Sequence, residues 1–373
     1  MDYKVYKSIT ELGESTWDRY VSKRFFLSYN YLATLEKACQ QLDYRYVLTL
    51  DGGKFVSLCY FQIIPFSGTS LDQYLPTSNY FFGKLYENTL AKVRTNLLVL
   101  GNVIFTCENG VLVAEEYKDS AEEYIQQSLS LVLKTMDKKP LGTMISENIK
   151  SVSTKMFCPK RFHVFQVEDR MELNLGEFNS FNSYLDKFQS KYRVRVKKVL
   201  ELNQNTQVIS IYKENFSEYR AQIERLFLNV LDNSKFKLTT ISVDYFNQFL
   251  LNVERFKMKG YMIDNQLIGF ISYFQLDTII EVHYAGLDYT ANQKSKIYNF
   301  MLVDMIQEAF KINVKRICFG RTAQELKSTL GAQPFPTVSS LKINKGLLNL
   351  LTPVFLNNMV PEKWVQRSPF KSQ

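Results

Sequence analysis

Residues 51–63 read "DGGKFVSLCYFQI" and residues 264–276 read "DNQLIGFISYFQL". Both open on an Asp-led turn signal and continue as a mostly apolar run. Both close on Tyr-Phe-Gln and an aliphatic residue, in register and without a gap. An apolar stretch precedes each copy, "YVLTL" at 46–50 and "GYMI" at 260–263. The pattern predicts strand, tight turn, strand, twice in one chain.

The flanking patterns also correspond. After the second hairpin, "IIEVHYAGL" predicts a strand and "DYTANQK" a polar loop. Tyr298, Met301, Leu302, Met305 and Ala309 then recur at helical spacing. "VKRICFG" predicts a strand, and "TAQELKSTLGA" a short helix ending near Gly331. After the first hairpin, "LLVLGNVIFT" predicts a strand. A helix follows over 121–134, with Ile125, Leu129 and Val132 on one face, and "GTMISENI" predicts another strand. Each half therefore reads hairpin, strand, helix, strand, which makes an α/β protein with mixed sheets.

The halves divide at 175/176. "FHVFQVEDRMELNL" predicts one strand closing the first, N-terminal domain, residues 1–175. The second domain, residues 176–373, opens on a helix capped by Ser180, with Phe181, Leu185, Phe188, Tyr192, Val199 and Leu202 along one stripe. Within this helix lie Lys191, Arg193, Arg195, Lys197 and Lys198. Lys191, Arg195 and Lys198 share one face; Arg193 and Lys197 share another. The choice is between a solvated outer face and a surface holding phosphates in the cleft between the halves. DNA readout is excluded as an expectation, because no helix-turn-helix or zinc motif accompanies the run.

Composition narrows the chemistry. The 373 residues suffice for two domains, and 46% hydrophobic content excludes a disordered chain. No window reaches the length of a membrane helix, and no apolar leader opens the chain, so the expected compartment is the cytoplasm. Five cysteines without a CxxC, and two histidines, His163 and His283, argue against a disulfide framework, zinc or any other metal site. GxSxG and P-loop motifs are absent. The net charge of +9 suits a phosphate-bearing partner.

Candidate groups follow from placement. Arg321 and Lys327 flank the first turns of the last short helix, in "FGRTAQELKSTLGA", where two cations and backbone N–H groups suit a phosphate or an oxyanion. Glu281 and His283 alternate on one face of "IIEVHY", with Val282 and Tyr284 on the other. Glu281 or His283 could take a proton from an attacking amine, and Tyr284 could donate one. A buried structural imidazole is the other reading of His283. Residues 72–86, "DQYLPTSNYFFGKLY", offer aromatics to a sugar or peptide cleft or form a packed loop. Residues 347–364 are apolar enough for peripheral membrane contact, but Pro353 and Pro361 favour domain packing.

"SFNSYLDKFQSKYRVRVKK", "HYAGLDYTANQK…CFGRTAQELKSTLGAQP" and "FFLSYNYLATLE" resemble segments of the Fem-type aminoacyl and peptidyl transferases, and of peptidoglycan biosynthesis or recognition proteins with acetyltransferase-like domains. That resemblance implies two tandem GNAT-like acyltransferase domains in a bacterial N-acyltransferase. It implies an aminoacyl-tRNA donor and a nucleotide- or lipid-linked muropeptide as the amine acceptor. It also implies Arg193 and Lys197 as phosphate ligands and Lys327 near the reaction centre. The acetyltransferase phosphate loop Q/R-x-x-G-x-G/A is missing: "DYTANQK" holds no glycine. Acyl-CoA is the alternative donor, and a non-catalytic protein recognising a glycan, peptide or nucleotide-linked ligand is the alternative function.

Overall fold

In the computed structural model, residues 1–21, 24–68, 92–105, 110–149, 161–233, 238–357, 361 and 363–371 are described. The tyrosine-rich stretch 72–86, Cys107 and Cys158 lie outside them. The first half supplies β1 (Asp2–Tyr6), β2 (Asp43–Asp51), β3 (Lys54–Ser67), β4 (Arg94–Leu100), β5 (Val111–Val113), β6 (Gly142–Ile149), β7 (His163–Gln166) and β8 (Arg170–Asn174). The second supplies β9 (Gln207–Ile211), β10 (Phe256–Ile263), β11 (Gln266–Gln275), β12 (Ile279–Leu287), β13 (Arg316–Cys318), β14 (Gln333–Phe335) and β15 (Thr337–Ile343). The helices are α1 (Glu14–Val21), α2 (Tyr29–Ala38), α3 (Ala121–Thr135), α4 (Phe181–Asp186), α5 (Ser190–Leu202), α6 (Phe216–Asp232), α7 (Asp244–Asn252), α8 (Tyr289–Ser295), α9 (Ile297–Lys311), α10 (Gln324–Ser328) and α11 (Gly346–Leu356).

Two compact units form. One comprises Met1–Val167, Lys235–Ile241 and Pro336–Pro361; the other Glu168–Ser234, Ser242–Phe335 and Glu362–Gln373. Neither is a contiguous half of the chain divided at 175/176. The stretch 162–175 makes two strands. β7 is an edge strand of the first sheet, order β1-β2-β3-β4-β6-β15-β7 with β5 on β3, whereas β8 lies in the second, order β14-β8-β13-β12-β11-β10-β9. β15 returns to the first sheet, antiparallel to both β6 and β7. Each sheet is thus completed by a strand from the other half of the chain.

Both hairpins are present, each with two positive-φ turn residues. These are Gly52 and Gly53 between β2 and β3, and Asp264 and Asn265 between β10 and β11. Two consecutive residues at φ > 0 give the turn that matches strand twist. Each hairpin also carries a bulge on its second strand, at Val56 and at Ile268. Turns and bulges correspond at an offset one residue shorter than the Tyr-Phe-Gln alignment. Tyr60 therefore stacks with Tyr44 and Tyr46 on the face opposite Phe61, whereas Tyr273 lies on the α9 face of its own sheet. A one-residue slip in a strand reverses every side chain. The hairpins repeat, but the shared letters do not superpose.

In the first unit, α3 buries Ile125, Leu129 and Val132 against Val47, Cys59, Phe61, Leu98 and Leu100. In the second, α9 buries Met301, Leu302, Met305 and Ile306 against Ile271, Tyr273, Ile280 and Ile317. The helix expected from Ser180 onward is two. Ser180 and Ser183 form a capping box opening α4, and the chain turns at Lys187 before α5. α5 buries Tyr192, Val196 and Val199, while Leu202 is exposed. "DYTANQK" is mostly helical: α8 is capped by Asp288, whose Oδ1 accepts from Thr290 N at 2.9 Å and Ala291 N at 3.0 Å. Pro353 sits inside α11 rather than ending it, and Asn349 Oδ1 accepts from Ile343 N of β15 at 2.8 Å. This hydrogen bond docks α11 on its own sheet. Among the described residues, no helix is long and apolar enough to cross a membrane.

Candidate functional site

The chemistry-bearing residues of the second unit concentrate where β12, β13 and β8 lie side by side. Register pairs Glu281 with Cys318, and Cys318 with Glu172. Directly paired residues project to the same face. Glu281, Cys318 and Glu172 therefore form one row across three strands, and all three are buried. Their neighbours Ile280, Ile317 and Leu173 point the other way, into the α9 core. Arg170 Nη2 donates to Glu172 Oε1, so this carboxylate has a built-in counter-charge.

Parallel pairing of β12 with β13 stops at Glu281 and Cys318. Beyond it, β12 bulges. Ile271 faces Ala285 and Tyr273 faces Val282, so Ser272 alone opposes both His283 and Tyr284. Ser272 Oγ accepts from Tyr284 N at 3.0 Å and donates to Tyr284 O at 3.2 Å, which satisfies the backbone groups that the bulge frees. The bulge brings the His283 and Tyr284 rings to 4.3 Å, and both pack against Tyr245 of α7. Simple alternation would have placed Tyr284 on the face opposite His283; the extra residue cancels that alternation. The first unit departs at the equivalent place. β4 ends at Leu100; Gly101 N then donates to Tyr60 O at 2.9 Å, Gly110 O accepts from Tyr60 N at 2.8 Å, and β5 resumes pairing with β3 at Val111.

Lys327 is carried by α10, a single turn entered through Ala323 at φ +54. The side chain is 1% exposed. Among the described residues none forms a hydrogen bond or ion pair with its Nζ. Burial pushes the amine down to about 7; Cys318 and Glu168 oppose that shift, and repulsion from Arg321 adds to it. Arg321 is partly exposed in the turn before α10. With only five residues, α10 has almost no helix dipole, so the cations rather than the backbone dominate this corner.

The other expected groups are placed as follows. His283 is half-buried among aromatic rings; burial pushes it down to about 3, and Tyr245 Oη is 2.8 Å from its Nε2. Arg193 is half-buried and Lys197 exposed on α5. Among the described residues none pairs with either side chain, and none joins them to the Glu281 row. Sequence reading missed Glu172, Arg170 and Cys318. Acidic Glu172 alternating with Met171 and Leu173 was the available signal, for it put a carboxylate on a strand whose other face is core. No group of three or more His, Cys, Asp or Glu among the described residues is placed to hold a metal.

No protein-family profile and no curated protein matches the chain. Solved structures do match. FemX shares 11% identity over 94% of this chain and 99% of its own, with a TM-score of 0.54. The C-terminal domain of a protein described as a lysylphosphatidylglycerol synthetase from Agrobacterium fabrum shares 8% identity over 89% and 91%, with a TM-score of 0.50. A tandem GNAT protein from the clavulanic acid biosynthesis pathway shares 11% over 92% and 98%, with a TM-score of 0.47. At these identities the likeness is one of fold: the chain is a mixed α/β protein of two GNAT-like lobes.

Proposed function

We propose that this protein is an N-acyltransferase in which Lys327 receives the proton released by the attacking amine. The observation that carries this reading is a buried lysine near Cys318 of the Glu281–Cys318–Glu172 row, its Nζ without an ion pair among the described residues. An amine poised near neutrality can accept a proton, and once charged it can lie against an oxyanion. In the proposed step, the acceptor nitrogen attacks the donor carbonyl carbon and a C–N bond forms. Lys327 Nζ takes a proton from that nitrogen. The bond from carbonyl carbon to leaving oxygen then breaks, and the proton returns to the leaving oxygen. Arg321 adds positive potential beside the developing oxyanion. Glu281 is the carboxylate of this row that would accept a hydrogen bond from the incoming neutral amine and orient it, with Tyr284 on the adjacent bulge.

The fold is consistent with an acyl-CoA-type donor, but the strand-to-helix junctions favour an aminoacyl ester, as on tRNA. In GNAT acetyltransferases a pyrophosphate sits at that junction on free N–H groups. Here Asp288 occupies the N–H groups of Thr290 and Ala291, with Arg225 on its other oxygen at 3.3 Å. In the first unit, Glu115 and Glu116 stand between β5 and α3. Carboxylates at both junctions disfavour a diphosphate. The acceptor proposed is an amine on a nucleotide- or lipid-linked muropeptide, whose phosphates Arg193 and Lys197 would hold. That part rests on the Fem-type resemblance of residues 180–198.

The test is transfer, followed by mass spectrometry, from aminoacyl-tRNA or acetyl-CoA to a muropeptide nucleotide. Lys327→Met should reduce the rate by about 100-fold or more with the fold intact by circular dichroism. Full activity in that variant would remove Lys327 from the mechanism. Transfer from acetyl-CoA alone would overturn the donor assignment. Ligand binding without transfer from either donor would replace the enzyme with a binding protein.

A further inference from the structure

A second site stands on the outside of α10, independent of the transferase reading. Glu325 and Lys327 are two residues apart on this helix, about 200° around its axis. Lys327 turns inward, and exposed Glu325 turns outward into a pocket of about 240 Å³. Lys191, Tyr192 and Arg195 of α5 form one wall, Glu325 and Thr329 the second, and Arg367 of the C-terminal segment the third.

The charges do not balance. Glu325 Oε1 is engaged by Arg367 through Nε at 2.9 Å and Nη2 at 2.5 Å. Lys191 and Arg195 have no carboxylate partner among the described residues. Both instead stand over one ring: Lys191 Nζ is 4.9 Å and Arg195 Cζ 5.7 Å from the centroid of Tyr192, itself 5% exposed. Like charges four residues apart on a helix repel by about 0.2–0.5 kcal/mol. The chain therefore holds two cations together at some cost in stability, and an anion between them would relieve it.

The third cation is fixed in place. Arg367 N donates to Ser328 Oγ at 3.0 Å. On its C-terminal side Gln189 N donates to Pro369 O at 2.7 Å, and Phe370 packs at 5.2 Å from Phe188 and 5.7 Å from Phe178. The wall carrying Arg367 is thus anchored at both ends of α10 and at the segments flanking α4, so little ordering is left for a ligand to supply. Thr329 Oγ1 is committed as a donor to Leu326 O at 2.6 Å. Lys191, Arg195 and the Nη1 group of Arg367 are the charged donors at the pocket without a carboxylate contact among the described residues, which selects an acceptor-rich, multiply charged ligand.

We propose that the pocket between α5 and α10 binds a phosphate group, carried by a small phosphorylated molecule or by a nucleic-acid backbone. Its ligands are Lys191, Arg195 and Arg367. It uses the face of α5 opposite the one that family resemblance favoured, since Arg193 and Lys197 do not line it.

The test is isothermal titration of the full chain with inorganic pyrophosphate and, separately, with a single-stranded RNA oligonucleotide. Variants are the doubles K191Q/R195Q and, as a control at two exposed lysines that do not line the pocket, K311Q/K315Q, each first checked for an unchanged thermal melt. The expected result is a loss of about tenfold or more in K191Q/R195Q and less than about threefold in K311Q/K315Q, because charge-assisted hydrogen bonds act at contact distance. Pyrophosphate binding that RNA does not exceed assigns the site to small phosphorylated molecules. Tighter RNA binding with the same variant pattern assigns it to a phosphodiester backbone. No binding of either probe overturns the proposal. Equal losses in the two doubles also overturn it, since they would mean diffuse charge without a site.

Discussion

Tyr245 Oη and His283 Nε2 stand 2.8 Å apart and share a hydrogen bond that ties α7 to the bulge of β12. The imidazole also contacts Phe274 at 5.5 Å and Phe256 at 6.4 Å. These aromatic rings desolvate the imidazole, and burial pushes His283 down to about 3 from its ordinary 6.5. Between those values the unfolded chain binds a proton that the folded chain does not, so stability falls as pH drops from about 6.5 towards 3. His283→Gln should flatten that dependence in thermal melts from pH 7 to pH 4, and it should leave the pH profile of transfer unchanged. Loss of the acid limb of the rate in this variant would instead make His283 a catalytic base.

Lys327 has the same linkage with a higher window. Its amine titrates at about 7 when folded, against 10.5 for an exposed lysine. The unfolded chain therefore holds the extra proton between those values, and stability should rise as pH increases from 7 to 10.5. Lys327→Met removes the ionisable group and retains the volume. Chemical denaturation at pH 7 should show it more stable than the natural chain by something on the order of 2–4 kcal/mol. A destabilised Met variant would mean that the amine has a folded-state partner after all.

Ser272 sustains the bulge with one hydroxyl, which contacts both Tyr284 N and Tyr284 O. Ser272→Ala leaves these groups unpaired in a part-buried site. Urea unfolding should show a loss of about 1–3 kcal/mol. Hydrogen exchange at Tyr284 should rise with it, because that amide loses its acceptor. An unchanged exchange rate there would show that the bulge holds without the serine.

Gly331 closes the turn after α10 at φ +89, and a Cβ built there would lie 2.6 Å from Phe370 Cε2. Gly331→Ala strains the backbone and pushes on the ring that anchors the C-terminal segment. A cost of about 1–3 kcal/mol is expected. Trypsin should cleave at Arg367 faster in the variant than in the natural chain. Equal cleavage would mean that Phe370 moves aside without releasing its segment.

Much of the architecture was legible along the chain because its signals are local. The apolar stripe of α9, the capping serine at 180, and the turn residues at 52–53 and 264–265 each act within a few residues of themselves. The matched Tyr-Phe-Gln letters misled about faces, because hairpin register is set by where the turn and bulge fall. Tyr60 and Tyr273 sit on opposite sides of their sheets for that reason. The helix at "DYTANQK" was hidden by its polarity. Asp288 opens it by capping, a contact that no apolar period reports.

Residue types and spacing alone determined the paired hairpins, the helices that cover the sheets, the run of cations on α5 and the absence of a glycine phosphate loop. They also placed Lys327 just past a sheet strand. Tertiary structure decided which of those groups became unusual. Burial made Lys327 an amine near neutrality, and strand pairing aligned Glu172 with Cys318 and Glu281, although 146 positions separate the first from Cys318. A bulge turned Tyr284 towards His283, and the return of the C-terminal segment put Arg367 opposite Lys191 and Arg195. Each of these depends on contacts between segments distant in sequence, and on the desolvation those contacts impose, so the local pattern could not hold them.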